Sequence, residues 1–358
     1  YNDTRIFYKE CVSLVHSGFQ VTLVAPVEQA FNEKMVEILP AGAWHGRIHR
    51  ILVVVPRVLV KALQAKAAIY HLHDPELLLI APLLNLTGAK VIYDIHEDYV
   101  TSIRQKSYIP KPFRNIVAVI FDFLEKLASL GCYKIIAEKY YRERFPKALE
   151  ILNYPLLPPT QAHRDDSYQS SQLQGFNERY HWFLYSGNVT IDRGALLHLR
   201  LLSVNDKTAI AYIGKCSDAI ASKIYAYADS LKIDEERIKI IGREQYVPRE
   251  TIDDYTHSGS WLAGVALFPD TPHYTRKELT KFFEYMAAGL PILCTDFPAW
   301  KAIVDDSSCG LPVNPDDVQS LSQAIEFLIA HPEEARSMGE NGRTAVQERY
   351  NWRAEERK

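Results

Sequence analysis

Apolar positions along this chain switch between two spacings, and the switching predicts an alternation of helices and strands. Phe7, Cys11, Leu14 and Val15 recur at helical spacing behind a candidate N-cap at Asp3, with Gly18 as the stop. A strand is expected directly afterwards, over 20–25. A helix feeding a strand is the second half of a βαβ unit, so a further strand is expected ahead of it. Apolar runs between turn residues predict more strands over 51–55, 68–71, 90–93 and 134–137, with helical patterns between several of them. Ile116, Val119, Ile120, Phe123, Leu124 and Leu127 form a helical stripe, which reads as a crossover helix burying that face in the core. Docking of the stripe on a membrane surface is the other reading.

Between 153 and 180 the pattern dissolves into "NYPLLPPTQAHRDDSYQSSQLQGFNERY", rich in Pro, Ser and Gln, which predicts a connection over 156–180. A second alternation follows, with strands over 182–186, 209–213, 238–241, 265–268 and 291–294, and helices from 194, around 218–231, from 280 and from 318. The expected class is α/β: two doubly wound, Rossmann-like domains, over 1–155 and 181–338, facing each other across a cleft. Open sheets of this kind bind ligands at the carboxyl ends of their strands.

Length and composition agree with this picture. A chain of 358 residues is long enough for about two domains, and 47% hydrophobic with 24% charged residues is ordinary for a folded protein. The longest stretch free of Asp, Glu, Lys and Arg, 11–27, is shorter than a membrane span, so a soluble or peripheral protein is expected. A net charge of −3 gives no global attraction to nucleic acid, but residues 1–150 carry 19 bases against 15 acids and the remainder 22 against 29. The basic excess sits in 104–147, with ten bases and four acids. It reads either as solvated helix faces or as a patch for anionic lipid or an anionic acceptor. Five scattered cysteines without a CxxC pair indicate neither a disulfide framework nor a zinc site, and fit reduced thiols in the cytoplasm.

Three clusters carry candidate chemistry. "HLHDPELL" ends one predicted strand with His73 and Asp74, and "YDIHEDYV" ends the next with Asp94, His96, Glu97 and Asp98. His96 is the residue expected to polarise a hydroxyl or stabilise developing charge near neutral pH. Helix caps are the alternative role for the acids, and metal ligation is a weaker one because no zinc-protease spacing is present. "YSGNVTIDRG" places Gly187 and Arg193 between a strand and a helix, an arrangement suited to an anion. In "TPHYTRKELTKFFEYMAAGLPILCTDFP", Lys281 suits a phosphate and Glu284, three residues on, suits ribose hydroxyls, so the pair reads as the two ends of a nucleoside diphosphate.

The blocks "HDPELL", "YDIHEDYV", "ELTKFFEYMAAGLPILCTDFPAWKAIV", "CGLPVNPDD" and "PEEARSMGENGRTAVQERYNW" together resemble the bacterial glycosyltransferases of family four, retaining enzymes with the GT-B fold. The resemblance implies a UDP- or GDP-sugar donor on the second domain, a saccharide or lipid-linked saccharide acceptor on the first, and no obligatory metal. It also implies a role in surface polysaccharide assembly such as capsule or lipopolysaccharide, peripheral contact with the inner leaflet, and a C-terminal helix over 339–358 that crosses back to the first domain. By position, His96 and Glu97 take the catalytic places, Gly187, Arg193, Lys281 and Glu284 the donor-binding ones, and His73, Asp74 and Asp94 the acceptor side. Two departures stand out. Arg276 occupies the place of the first glutamate of the E-x7-E motif, with Glu278 two positions late, and no basic residue precedes Arg193 in its loop. A degenerate subunit that binds a nucleotide or a partner enzyme is the alternative these departures raise, and a sugar-nucleotide epimerase is a more distant one.

Overall fold

The computed structural model describes residues 3–43, 45–106, 109–157, 176–258 and 261–358, so most of the expected connection over 156–180 lies outside the described residues. Contacts divide the chain into two units, 1–156 together with 352–358, and 157–351.

In the first unit the chain is helical over Thr4–Cys11 and Val12–His16, and the Asp3 carboxylate caps the start by accepting from the N–H groups of Arg5 and Ile6. Phe7 and Cys11 bury the predicted face against Ala25, Val36 and Ile38. Those partners come from a small sheet of β1 (Thr22–Ala25), β2 (Phe31–Glu33) and β3 (Val36–Pro40), in the order β1-β3-β2 with β2 antiparallel. The β2–β3 hairpin is absent from the sequence expectations. A second sheet is all parallel, β4 (Ile69–Leu72), β5 (Lys90–Ile95), β6 (Tyr133–Ile136) and β7 (Leu149–Glu150) in that order. Its core includes Leu72, Leu84, Val91, Tyr93 and Ile136.

Two expectations for this unit are corrected. The stretch 51–55 is helical, within Arg50–Val54 and Val55–Ala65, because Val55, Val58, Leu59 and Ala62 recur at helical spacing and pack on the core beside β4 and β5. The helix Lys111–Ala128 exists as expected, but it does not bury its apolar stripe. Ala118 and Glu125 are its buried residues, while Ile116, Val119, Ile120, Phe123, Leu124 and Leu127 are all exposed.

The second unit holds one parallel six-stranded sheet: β8 (His181–Ser186), β9 (Thr208–Cys216), β10 (Ile238–Arg243), β11 (Ala263–Ala266), β12 (Ile292–Thr295) and β13 (Gly310–Val313). Their spatial order, β10-β9-β8-β11-β12-β13, is the Rossmann order, with the reversal between β8 and β11. A strand covered by helices on both faces needs no polar side, and β9 shows this, with every residue buried except Lys215. The helix Pro332–Glu348 also belongs to this unit, packing on the helix Thr280–Ala288. The return to the first unit therefore begins only at Trp352, later than the crossing expected over 339–358. There the Trp352 N–H donates to the Pro155 carbonyl at 2.8 Å, and the Glu355 carboxylate accepts from the Leu152 N–H at 2.8 Å.

Candidate functional site

Side chains with usable chemistry gather at the carboxyl ends of strands in both units. In the second unit the candidate residues flank the reversal between β8 and β11, the position at which open sheets of this kind bind ligands. Gly187 follows β8 with φ +98°, and its carbonyl lies so close to Gly214 that a Cβ on Gly214 would stand 2.1 Å from it. Gly194, at φ +84°, is equally constrained, since a Cβ there would fall 1.7 Å from the Leu267 carbonyl oxygen. The left-handed turn at Gly194 interrupts the expected helix: Ile191–Arg193 is one 3-10 turn and the helix itself is Leu199–Val204. Arg193 therefore offers its side chain, not a helix terminus.

Lys281 and Glu284 stand one turn apart on the helix Thr280–Ala288, so they share an edge. The Lys281 ammonium donates to the Ser186 carbonyl at 3.1 Å and sits 3.6 Å from the centroid of Tyr185, with Phe268 at 5.1 Å. Loss of water, reinforced by the nearby Arg193 charge, pushes its pKa well below the lysine range. An ammonium held in this way gains from any incoming anion. Glu284 pairs with Arg249 at 2.5 Å, and Tyr274 donates to Asp192 at 2.7 Å. Tyr285 is fully buried, and its hydroxyl accepts from the Ser186 N–H at 3.0 Å, fixing the end of β8. His198, also buried, accepts from the Leu267 N–H at 3.3 Å and keeps the next loop in register. Burial drives its pKa far down, so it is neutral. Sequence reasoning missed Tyr185, His198, Arg249 and Tyr285. Only Tyr285 carried a signal, one helical turn beyond Lys281.

In the first unit, β4 and β5 end at a buried cluster built around Asp94. Arg5 grips this carboxylate with two hydrogen bonds of 2.9 and 2.8 Å and lies 3.1 Å from Glu10. His73 and His96 each turn Nδ1 toward Asp94, at 3.3 and 3.4 Å, and the His71 ring lies 4.4 Å from that of His73, tilted by 32°. Burial opposes the Asp94 charge, but Arg5 and the two histidines outweigh it and hold the carboxyl well below its usual range. Burial and the neighbouring Asp94 charge instead push Glu10 up to about 7. His71 is lowered to about 3, by burial and then by His73. For His96 the interaction with Asp94 outweighs desolvation and raises the pKa, which favours the protonated imidazole.

His73, Asp94 and His96 are thus brought together, whereas Asp74 is taken by Arg50 at 2.7 Å and Glu97 is exposed after β5. Asp98 caps the helix Tyr99–Gln105, accepting from the Thr101 N–H. Ligand-capable atoms of Glu10, His71, His73 and Asp94 all lie within 4.8 Å of one another. Arg5 already supplies the positive charge between the two carboxylates, so an ion would have to displace it.

Comparisons with known proteins bear on this geometry. The family model "Glycosyl transferases group 1" matches residues 280–345, the segment that carries Lys281 and Glu284. Over 72 residues the chain is 35% identical to an MMP alpha-(1->4)-mannosyltransferase of Mycolicibacterium hassiacum, a stretch spanning 20% of this chain and 18% of that relative. In structure it is similar to sucrose-phosphate synthase from Thermosynechococcus elongatus, with TM-score 0.72, 18% identity, and coverage of 97% of this chain and 88% of the other. Anabaena Alr3699/HepE in complex with UDP and glucose gives 0.70 at 13% identity, covering 97% and 93%. The chain has the GT-B fold of these glycosyltransferases and bears the group 1 glycosyl transferase signature over 280–345.

Proposed function

We propose that the chain is a glycosyltransferase that moves a sugar from a nucleotide-diphosphate donor to a hydroxyl acceptor. The observation that carries the reading is the desolvated Lys281 ammonium at the β8/β11 reversal, beside Arg193 and one turn from Glu284, within the segment that matches the group 1 signature. The nucleotide of the donor lies along this edge, with its diphosphate on Lys281 and Arg193 and its ribose on Glu284. Transfer breaks the bond between the anomeric carbon and the diphosphate oxygen. The acceptor oxygen bonds to that carbon on the same face and passes its proton to the departing diphosphate oxygen, so configuration is retained. Lys281 and Arg193 stabilise the charge that grows on the departing diphosphate, the term that usually dominates such steps. On this reading the reaction requires no metal, because the cations are side chains. His96, oriented by Asp94, serves the acceptor in the first unit. The binding of UDP and glucose by the Anabaena protein supports a UDP-sugar, with GDP the other base to test. Assembly of a surface polysaccharide on the cytoplasmic side is the setting that the family resemblance supports.

The test is thermal unfolding of the protein against UDP-, GDP-, ADP- and CMP-sugars and the bare diphosphates. A true donor at about 100 times its dissociation constant stabilises by about 2.7 kcal/mol. A shift with one sugar nucleotide supports the reading and names the donor. No shift with any of them, in a folded sample, sinks it and favours a degenerate subunit that binds a partner enzyme.

A further inference from the structure

β10 leads into the helix Arg249–Ser258 through a loop that is held at both ends. The Glu244 N–H donates to the Cys216 carbonyl at 2.8 Å, Val247 is buried, and the Pro248 carbonyl accepts from the Ile252 N–H at 3.1 Å. Arg249 therefore opens the helix, a place where the helix dipole disfavours a cation. Two carboxylates hold it there. Its Nε donates to both oxygens of Asp253, one turn on, at 2.9 and 3.0 Å. Its Nη1 reaches across to Oε1 of Glu284, on the helix Thr280–Ala288, at 2.5 Å.

The Arg249 side chain is 57% exposed and that of Asp253 34%, whereas Glu284 is at 16%. An ion pair with so exposed a partner adds little to stability, so the consequence of this bond lies in geometry. A glutamate side chain rotates about several torsions, and a carboxylate left to itself samples several rotamers. Bonded through Oε1, the Glu284 carboxylate is turned one way. A carboxylate offers about four acceptor sites and Arg249 uses one, which leaves room for a pair of hydroxyl donors. Arg249 also offsets the charge of Glu284, one turn from Lys281, and so lowers its repulsion of a diphosphate bound there.

We propose that Arg249, anchored on Asp253, is a positioning residue that turns the Glu284 carboxylate toward the ribose of the donor and makes the site select a ribonucleotide. This inference rests on the donor reading above. A site built to accept from substrate hydroxyls rejects an analogue that lacks them, because its own polar groups are then left unpaired.

The experiment is titration calorimetry with UDP and GDP and with their 2′,3′-dideoxy counterparts. The parent should bind the ribonucleotide at least about tenfold more tightly than the dideoxy form, the factor expected for a hydrogen bond to a charged group. Arg249→Met should lose most of that preference, through weaker binding of the ribonucleotide and unchanged binding of the dideoxy form. In a Glu284→Gln background the same change should have no further effect on the preference. Arg249→Lys, which keeps the charge but cannot fork between two carboxylates, should fall between parent and Arg249→Met. Both Arg249 variants should melt like the parent, because the side chain is mostly exposed. Equal binding of the two forms by the parent, a preference kept in Arg249→Met, or an equal loss for both forms overturns the proposal while the donor reading stands. Failure of the folded parent to bind either diphosphate overturns the donor reading, and this inference with it.

Discussion

Replacing Lys281 by methionine keeps the volume of the side chain and removes its charge, and the structure dictates opposite signs for the free and the liganded protein. In the free protein the ammonium has lost water and faces Arg193, so its folded pKa lies well below 10.5. Between those two values the unfolded chain binds more protons than the folded one, so Lys281 makes stability rise with pH and weakens the fold at neutrality. Methionine should therefore leave the free protein as stable or more stable near pH 7 and remove this residue's share of the rise toward alkaline pH. With a diphosphate bound, the sign reverses. Loss of a charge-assisted hydrogen bond costs about 1.5–3 kcal/mol, which is roughly a ten- to 150-fold weaker complex. Binding should also draw a proton onto Lys281 in the parent at pH values between its folded pKa and 10.5, and none in the variant. Titration calorimetry of UDP or GDP, repeated in buffers of different ionisation enthalpy, measures affinity and proton uptake together. Equal affinity and equal proton uptake in the two proteins would refute the placement of the diphosphate on this side chain.

Two further predictions concern the frame around the sites. Gly194→Ala forces a Cβ to within 1.7 Å of the Leu267 carbonyl oxygen at a left-handed φ, so a loss of about 2 kcal/mol or more is expected, visible as a fall in Tm of about 4–8 °C. A change below about 0.5 kcal/mol would show that the Leu267 strand end yields freely. Glu10, raised to about 7 from an ordinary 4.5, holds its proton more tightly in the folded state, so its ionisation lowers stability as pH climbs through that window. Glu10→Gln should flatten the decline, by on the order of 2–3 kcal/mol between the two ends. Urea midpoints measured across the window check this, and an unchanged profile would contradict it.

The second unit was the more legible of the two, and the reason is burial. Strands covered on both faces are written as unbroken apolar runs, and β8, β9 and β12 fall within a residue or three of the runs that predict them. The first unit defeats the same reasoning where strands are short or the chemistry is local. β2 has three residues and no alternation to read, and the β-branched run at 51–55 has a strand's composition but a helix's spacing once Val58, Leu59 and Ala62 are included. Periodicity located the stripe on Lys111–Ala128, yet a stripe does not say which side faces the protein. Inward polar partners such as Tyr93 and Arg144, 32 and 19 residues from Glu125, decide that. In the sites, strand ends revealed His73, Asp94 and His96. Arg5, the partner that sets the charge of Asp94, lies 89 residues earlier on a helix with no motif. Asp74 shared a motif with His73 but was claimed by Arg50, a competition that no spacing discloses.

The hydrogen bond from Trp352 to Pro155 makes the second unit an insertion in the first. Leaving the first unit after residue 156 and re-entering it at 352, the chain brings the ends of the second unit together. Domains with adjoining ends tolerate excision and permutation. A gene for 157–351 can thus be expressed as a separate protein, and the gap it leaves bridged by a linker of a few residues. The same topology makes 352–358 part of the first unit's fold. Removing 352–358 strips Trp352 from Ser13 and Glu355 from Leu152, and the damage falls on the first unit, far back in the sequence from the deletion.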